Sequence, residues 1–339
     1  MKNFIEFVKK NKKVIIYIVI LLAIIIFSVY LSTTKTTKEE KIVLSPPKPD
    51  ISKRIDGNLP ISFNISVKDF SIPEKLPFLK ILFKKPSEDE SQDLAKRVGI
   101  TTAPNIFRDA NKGIKYYWNT IDYSLIITPQ TSVVKYFSNS SKPPATIDKN
   151  LTEKEVIERA KNFTENILSI NKEILKAYSV VYYTTSDTSE GFTKTDKGNA
   201  TLYQVNITDN STGYNILTTE ADNPLMFVQL LPDGTIYSFQ GVLYQNITKG
   251  ITEYPLKTYN DIIESKDRIN IVNISNDYLP LVDLNIKDFN AIDINEISIF
   301  YLLDDRRNPE LQPIFYLKGD VSISNSTADK ASFYLPAFK

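Results

Sequence analysis

The sequence predicts an α+β fold of tandem units, each a helix packed on an antiparallel β-meander, preceded by one transmembrane helix. Three observations support this prediction: one long uncharged apolar run near the N-terminus, three helix start signals, and several short strand-like runs after each helix. Because the strand-like runs outnumber the helices several-fold, we exclude a doubly wound parallel sheet, in which strands and helices alternate.

The apolar run extends from Val14 to Leu31 and follows a cluster of lysines. A helix of this length, at about 1.5 Å per residue, spans roughly 27 Å, which is close to the thickness of a bilayer core. Lysines that precede a first span stay in the cytoplasm. The sequence therefore predicts a single-pass protein of the cytoplasmic membrane, with its N-terminus inside, its C-terminal domain extracytoplasmic and residues 14–31 in the lipid bilayer. A cleaved signal peptide is the alternative, but its apolar core is shorter and ends in small residues.

Composition divides the rest of the chain. The segment after the apolar run is polar and contains Ser45–Pro49, whose prolines favour an extended stalk. A second linker-type stretch lies between Ser138 and Asn150. We predict five parts: a cytoplasmic tail at 1–13, the anchor at 14–31, an extracytoplasmic stalk at 32–53, a first α+β unit at 54–140, and a second α+β region at 150–339.

Each predicted helix begins with a capping box, in which a Ser or Thr side chain and an acidic side chain three residues later satisfy free backbone N–H groups. The three boxes are Ser87 with Glu90, Thr152 with Glu155, and Thr258 with Asp261. Leu151 and Val156 add a hydrophobic staple to the second helix, and Gly99 is placed to end the first.

Short apolar runs follow each helix and predict antiparallel strands. They lie at 115–119, 124–128, 132–137, 179–184, 202–208, 214–219, 225–230, 235–243, 297–302, 314–318 and 331–335. Pro232-Asp233-Gly234 predicts a tight hairpin between two of them, and Asp209–Gly213 predicts another. Asp304–Pro309 predicts the longer turn of a third hairpin.

Composition also limits the chemistry. The chain has no cysteine and no histidine, which removes the usual ligands of zinc, haem, iron–sulfur and copper sites and the usual base of Ser and Cys hydrolases. We therefore predict no cofactor and no metal. The net charge of +1 argues against a nucleic acid partner. Without disulfides, the exported part must be held together by a substantial apolar core.

The region from about Leu151 to Phe338 resembles a known family in its order of parts and in three motifs. The motifs are Tyr254-Pro255-Leu256 before a helix, Leu311–Tyr316 leading to Gly319, and the ending Phe333–Phe338. These resemble the YycH/YycI regulators of Gram-positive bacteria and, more loosely, PepSY-type domains. The resemblance implies a non-enzymatic envelope protein that contacts a membrane sensor kinase, and it transfers no catalytic residue.

Two charged clusters have two interpretations each. Asp304, Asp305, Arg306 and Arg307 form the densest charge group, which is either a recognition tip for a partner or a solvated hairpin turn. The acidic cluster Glu88, Asp89, Glu90 and Asp93 is either a divalent-cation site or a set of acids favoured by a helix N-terminus. The spacing lacks the glycine and the distal Glu of a calcium loop, which favours the helix interpretation.

Trp118 lies in the aromatic run Lys115–Asn119. Its ring is a candidate anchor for a partner, because Trp is enriched at binding hot spots. The alternative is that the aromatic residues fill the core of a sheet and alternate between its faces.

These observations lead to one hypothesis and two alternatives. The leading hypothesis is a membrane-anchored interaction or regulatory protein that binds a membrane or envelope protein without catalysis. One alternative is an envelope enzyme that acts on glycan through paired carboxylates such as Asp187 and Glu190. The other is a PepSY-type module that inhibits a protease or has a structural role.

Overall fold

A computed structural model describes residues 62–67, 70–109, 113–139, 151–185, 192–218, 224–265, 269–275, 289–303, 309–323 and 329–339. All of these residues belong to one compact unit of the chain. The predicted anchor Val14–Leu31 and the predicted stalk at 32–53 lie outside the described residues.

The structure contradicts the predicted localisation as a single-pass membrane protein. Within the part of the chain that the structure describes, no helix is long and apolar enough to cross a membrane. The structure therefore does not support a single-pass membrane protein with an extracytoplasmic domain.

The described residues form three α-helices and seventeen β-strands. The helices are α1 (Glu88–Arg97), α2 (Glu153–Leu168) and α3 (Tyr259–Glu264). The strands of the first half are β1 (Ser62–Ile65), β2 (Lys75–Phe83), β3 (Asn105–Asp109), β4 (Gly113–Asn119), β5 (Tyr123–Thr128), β6 (Val133–Ser138), β7 (Leu175–Thr185), β8 (Phe192–Lys194) and β9 (Leu202–Asp209). The strands of the second half are β10 (Asn215–Thr218), β11 (Met226–Leu230), β12 (Ile236–Val242), β13 (Tyr244–Pro255), β14 (Asn270–Ser275), β15 (Phe289–Leu303), β16 (Glu310–Ile323) and β17 (Asp329–Pro336).

The fold is mostly β, at 57% strand and 18% helix, so the predicted α+β class is wrong. The strands form two large sheets. One has nine strands in the order β3-β4-β5-β6-β12-β11-β9-β7-β8. The other sheet has eight strands, and its main path is β1-β15-β16-β17-β14. Strand β10 also pairs with β15, and both β1 and β10 are parallel to β15. Strand β2 lies between β13 and β16.

The predicted tandem arrangement fails because strands that are distant in sequence pair with each other. In the nine-stranded sheet β6 pairs with β12, which places Tyr136 opposite Phe239 and Val134 opposite Gly241. Two short meanders thereby become one continuous sheet. Local periodicity predicts where strands are, but it carries no information about which distant strand each one joins.

All three predicted capping boxes are present. The Ser87, Thr152 and Thr258 side chains accept from the third helical N–H, and the acidic partner accepts from the cap N–H. Helix α2 packs against β7, β9, β11 and β12. Its Val156, Ala160 and Ile167 are buried in the apolar core on that inner face of the nine-stranded sheet.

The predicted hairpin at Pro232-Asp233-Gly234 is confirmed. It connects the antiparallel pair β11 and β12, and Gly234 has a φ of +87° that favours glycine. The strands on either side of the predicted turn Asp304–Pro309 also pair, as β15 with β16, although residues 304–308 lie outside the described residues.

The hairpin predicted at Asp209–Gly213 is wrong. The chain does turn there, because the Asp209 carboxylate accepts from the Ser211 N–H at 2.7 Å. However, the Ile216 N–H donates to the Thr208 hydroxyl at 3.0 Å, and β10 then joins the eight-stranded sheet beside β15. A side chain therefore replaces the backbone ladder that would have paired β10 with β9.

A close approach of two strands makes one glycine critical. Gly319 on β16 lies opposite Ile294, next to an irregularity in the register of β15. A Cβ at this position would lie 2.2 Å from the Asp293 carbonyl oxygen. Because that atom belongs to the backbone of the neighbouring strand, it cannot move without breaking the ladder.

We predict that Gly319→Ala lowers the free energy of unfolding by about 2 kcal/mol or more, since overpacking of this kind forces a backbone shift. Gly198→Ala is the matched control, because its nearest neighbour is the Asp196 side-chain oxygen at 3.2 Å in an exposed turn, and its effect should stay within about 0.5 kcal/mol. Urea unfolding measures both. Equal stability of the two variants would contradict the prediction.

The buried carboxylate of Asp209 gives a second prediction. The Tyr244 hydroxyl donates to Asp209 Oδ2 at 2.8 Å, and Asp209 is only 1% exposed. Burial, with the carboxylate beside it, raises the pKa of Tyr244, so the hydroxyl keeps its proton. Tyr244→Phe should lower the free energy of unfolding by about 2 kcal/mol, because it leaves a buried charge with one donor fewer.

The control for this variant is Tyr182→Phe. The Tyr182 hydroxyl donates to the exposed carboxylate of Glu153 at 2.6 Å, which water can solvate once the hydroxyl is gone. Its effect in the same unfolding experiment should be about 1 kcal/mol or less. A larger loss for Tyr182→Phe than for Tyr244→Phe would show that burial of the carboxylate does not determine the effect.

Candidate functional site

The structure places the aromatic residues of the run Lys115–Asn119 on two opposite faces of β4. Trp118 is 1% exposed, lies in the core and donates its indole N–H to the Thr102 carbonyl oxygen at 3.0 Å. Of the two interpretations of Trp118, core filling agrees with this position and a direct partner contact does not. Its neighbour Tyr117 is on the opposite face of β4 and is half-buried. The charged group Asp304, Asp305, Arg306 and Arg307 lies outside the described residues.

The acidic cluster is the first turn of α1. Glu90 completes the capping box and pairs with Lys84 at 3.1 Å, and Asp93 pairs with Lys96 at 2.9 Å. The Ser87 backbone N–H and the Lys84 ammonium lower the pKa of Glu90. Among the described residues, no group of acidic side chains could hold a metal ion. The helix interpretation of this cluster therefore agrees with its contacts.

The outer face of the nine-stranded sheet, opposite α2, carries a different set of side chains. The register places one residue from each strand except β8 in a single row across the sheet. The row is Asn105, Tyr117, Ile126, Lys135, Gln240, Phe227, Asn206 and Ser179. Tyr117 and Ile126 make the β4–β5 part of this row apolar, and Asn105 lies at its β3 edge. The amides Gln240 and Asn206, with Phe227 between them, occupy the β9–β12 end.

The amide end of the face is internally satisfied. Ser238 donates to Gln229, Gln229 donates to Gln204 at 3.0 Å, Gln204 donates to Asn206 at 2.9 Å, and Asn206 donates to Ser179 at 2.9 Å. These five side chains link β12, β11, β9 and β7. Because these side chains are hydrogen-bonded to one another, this part of the face holds the four strands together.

The other end of the sheet is the edge strand β3. All five residues of β3 are exposed, including Ile106 at 40% and Phe107 at 56%. In the described sheet β3 pairs on one side only, with β4. An edge of this kind presents a row of N–H and C=O groups that can bind another strand.

An open groove of about 490 Å³ runs along this edge. It is lined by Phe107, Arg108, Asp109, Lys115, Tyr117 and Ile126. The rings of Phe107 and Tyr117 lie 6.1 Å apart and are tilted by 59°, so they form the apolar wall of the groove. Exposed backbone, an apolar wall and flanking charges together form a surface that can bind an extended peptide.

Two other edges are short or irregular, and β8 covers only Tyr183–Thr185 of the longer strand β7. At the far end of the same sheet, β8 contains only three residues. In the second sheet, the edge strand β13 is long, but its register with β2 is interrupted between Lys249 and Glu253, where Ile251 projects into solvent. Short length and irregular register are the usual ways in which sheets protect their edges.

The sequence pattern does not predict β3, because the first strand that it predicts after α1 begins at Lys115. The segment Asn105–Asp109 contains only two apolar residues, and they are adjacent rather than alternating. A signal was nevertheless present, since Asn105, Phe107 and Asp109 share one face if the segment is extended. That face carries a single large apolar residue, which is too little for a prediction.

The charge of Glu90 generates a pH prediction. A carboxyl group whose folded pKa is lowered stabilises the protein above its unfolded pKa, and this contribution is lost as the pH falls through the folded value. Glu90→Gln should therefore lower the free energy of unfolding at pH 7 by about 0.5 kcal/mol, a figure discounted for the exposure of the ion pair, and this deficit should shrink as the pH falls below the unfolded pKa of the carboxyl group.

Urea unfolding at pH 7 and pH 3 measures this difference. Glu74→Gln is the control, because Glu74 is an exposed acid outside any helix, and its cost at pH 7 should be smaller than that of Glu90→Gln. A deficit of Glu90→Gln that persists at pH 3 would assign the effect to packing instead of charge.

Comparisons with known proteins give this chain neither a family nor a function. No protein-family model matches it, and no curated protein matches it. Among solved structures, an uncharacterized protein from Eubacterium rectale ATCC 33656 is similar, with a TM-score of 0.48 and 16% sequence identity over 81% of this chain and 88% of that chain. The resemblance to YycH/YycI regulators therefore stays a prediction.

Proposed function

We propose that this protein is a non-catalytic interaction module that binds an extended segment of a protein partner at β3. The observation that carries this proposal is the exposure of all five residues of β3 at the end of the nine-stranded sheet. In strand addition, main-chain hydrogen bonds supply affinity, and pockets for alternate side chains supply specificity.

The groove supplies such a pocket. A strand added beside β3 would direct every second side chain toward the outer face, where Phe107 and Tyr117 form the apolar wall. An apolar side chain of the partner would bury against these two rings. Aromatic residues in a partly desolvated pocket are typical of the positions that dominate binding energy.

Charge narrows the class of partner. Lys115 and Lys135 lie on the outer face beside the aromatic wall, and Arg108 lines the groove. Asp109 is the one acid that lines the groove. We therefore expect the bound segment to place a large apolar residue against the aromatic wall and to carry at least one carboxylate, since opposite charges across an interface favour correct register.

The carboxylates give less support to the alternative of a glycan-acting enzyme. Such an enzyme keeps one carboxyl group protonated by raising its pKa. In the described residues, the carboxyl groups with a shifted pKa have it lowered: Glu90, Asp93, Glu158 and Asp261. Each serves in a capping box or an ion pair. The pair Asp187 and Glu190 lies outside the described residues.

Selection of a displayed library of random linear peptides on the immobilised protein tests the proposal. We expect enriched sequences in which a large apolar residue and an acidic residue recur. Phe107→Lys should weaken their binding at least tenfold, because it places a charge in the apolar wall. Methylation of alternate backbone nitrogens in a selected peptide should have a similar effect, because it removes the main-chain donors.

The matched control is Ile251→Lys, which changes a fully exposed isoleucine on β13 and should leave peptide binding unchanged. Circular dichroism would verify that both variants are folded. A library that yields no common pattern, or peptides whose binding ignores Phe107→Lys, would refute strand addition at β3.

A further inference from the structure

We infer that the segment that binds β3 is β3 of a second copy of this chain, related to the first by a two-fold axis at Phe107. This inference rests on the proposed function, because it names the partner of the same edge. Its support is the self-complementarity of Asn105–Asp109 when the strand is paired antiparallel with itself. A two-fold interface uses the same patch on both copies, so the patch must be complementary to itself.

Centring the pairing on Phe107 gives favourable neighbours at every position. Phe107 faces its own copy, Ile106 faces Arg108, and Asn105 faces Asp109. No like charges are opposed, and the Asn105 amide can donate to the Asp109 carboxylate. Directly opposed residues have their Cβ atoms about 4.5–5.5 Å apart, so each of these pairs is in contact.

The two adjacent registers are worse. Centring on Arg108 opposes two guanidinium groups and places Phe107 against Asp109. Centring on Ile106 places Phe107 against Asn105 and leaves Arg108 and Asp109 opposite residues 104 and 103, outside the strand. Shifting an antiparallel register changes every cross-strand pair at once, so the aromatic pair at Phe107 selects one register.

The pairing also continues the aromatic wall. Phe107 of each copy already lies 6.1 Å from its own Tyr117, so the two-fold axis would bring four rings into one row on the outer face. The strand has only five residues, however, so the strand contact alone is smaller than a standard stable interface. We therefore expect a dimer that forms and dissociates with protein concentration.

Cysteine cross-linking tests the register directly, because the chain contains no cysteine of its own. Phe107→Cys in the whole 339-residue chain should give a covalent dimer with a short bifunctional thiol reagent. Ile106→Cys and Arg108→Cys should each cross-link poorly alone and efficiently when mixed, because the register places them opposite each other. Ile251→Cys is the control and should remain monomeric, which excludes random collision.

Analytical ultracentrifugation provides a second measurement without a reagent. The unchanged protein and Ile251→Lys should shift toward the dimer as concentration rises, whereas Phe107→Lys should stay monomeric over the same range. A monomer at every concentration, together with no cross-link at Phe107→Cys, would refute the second copy as partner.

The outcome separates this inference from the proposed function. If the protein is monomeric but selected peptides still bind in a way that requires Phe107, strand addition stands and the partner is a different protein. If both the dimer and peptide binding at β3 are absent, both proposals are refuted. A cross-link that forms at Ile251→Cys as well as at Phe107→Cys would also refute the two-fold pairing.

Discussion

The antiparallel ladder between β6 and β12 is the interaction on which the architecture depends. It connects β3–β6 to the strands that pack against α2, so nine strands share one twisted sheet and one apolar core. Val134 and Tyr136 lie in that core directly across from Gly241 and Phe239. Without this ladder the β3 edge would belong to a four-stranded meander, whose independent stability would be far smaller.

What the sequence predicts well is local. A capping box involves residues three apart, and a tight hairpin involves neighbouring strands, so Ser87, Thr152, Thr258 and Pro232-Asp233-Gly234 are informative by themselves. The fold class depended instead on pairings between distant segments. Strand β10 shows the limit of local prediction. Asp209–Gly213 has ordinary turn chemistry, yet it does not form a hairpin, because β10 pairs with β15 in the second sheet.

The candidate site shows a related limit. Periodicity correctly placed Lys115–Asn119 in a strand, but it could not say which face of the strand would be covered. The core received Trp118, and Tyr117 was left on the outer face beside Phe107. The edge itself was not predicted, because exposure of β3 follows from the order of strands in the sheet and not from the composition of β3.

The unequal ends of the nine-stranded sheet have a consequence for the size of any assembly. Sheets whose two edges are equally receptive can polymerise without limit, as in amyloid. Here only one end is a regular five-residue strand, while the other end, β8, is three residues long. If two copies pair through β3, the end of the sheet that stays exposed has a step, because β8 covers only Tyr183–Thr185 of the longer strand β7, and a stepped edge is a poor template for further pairing.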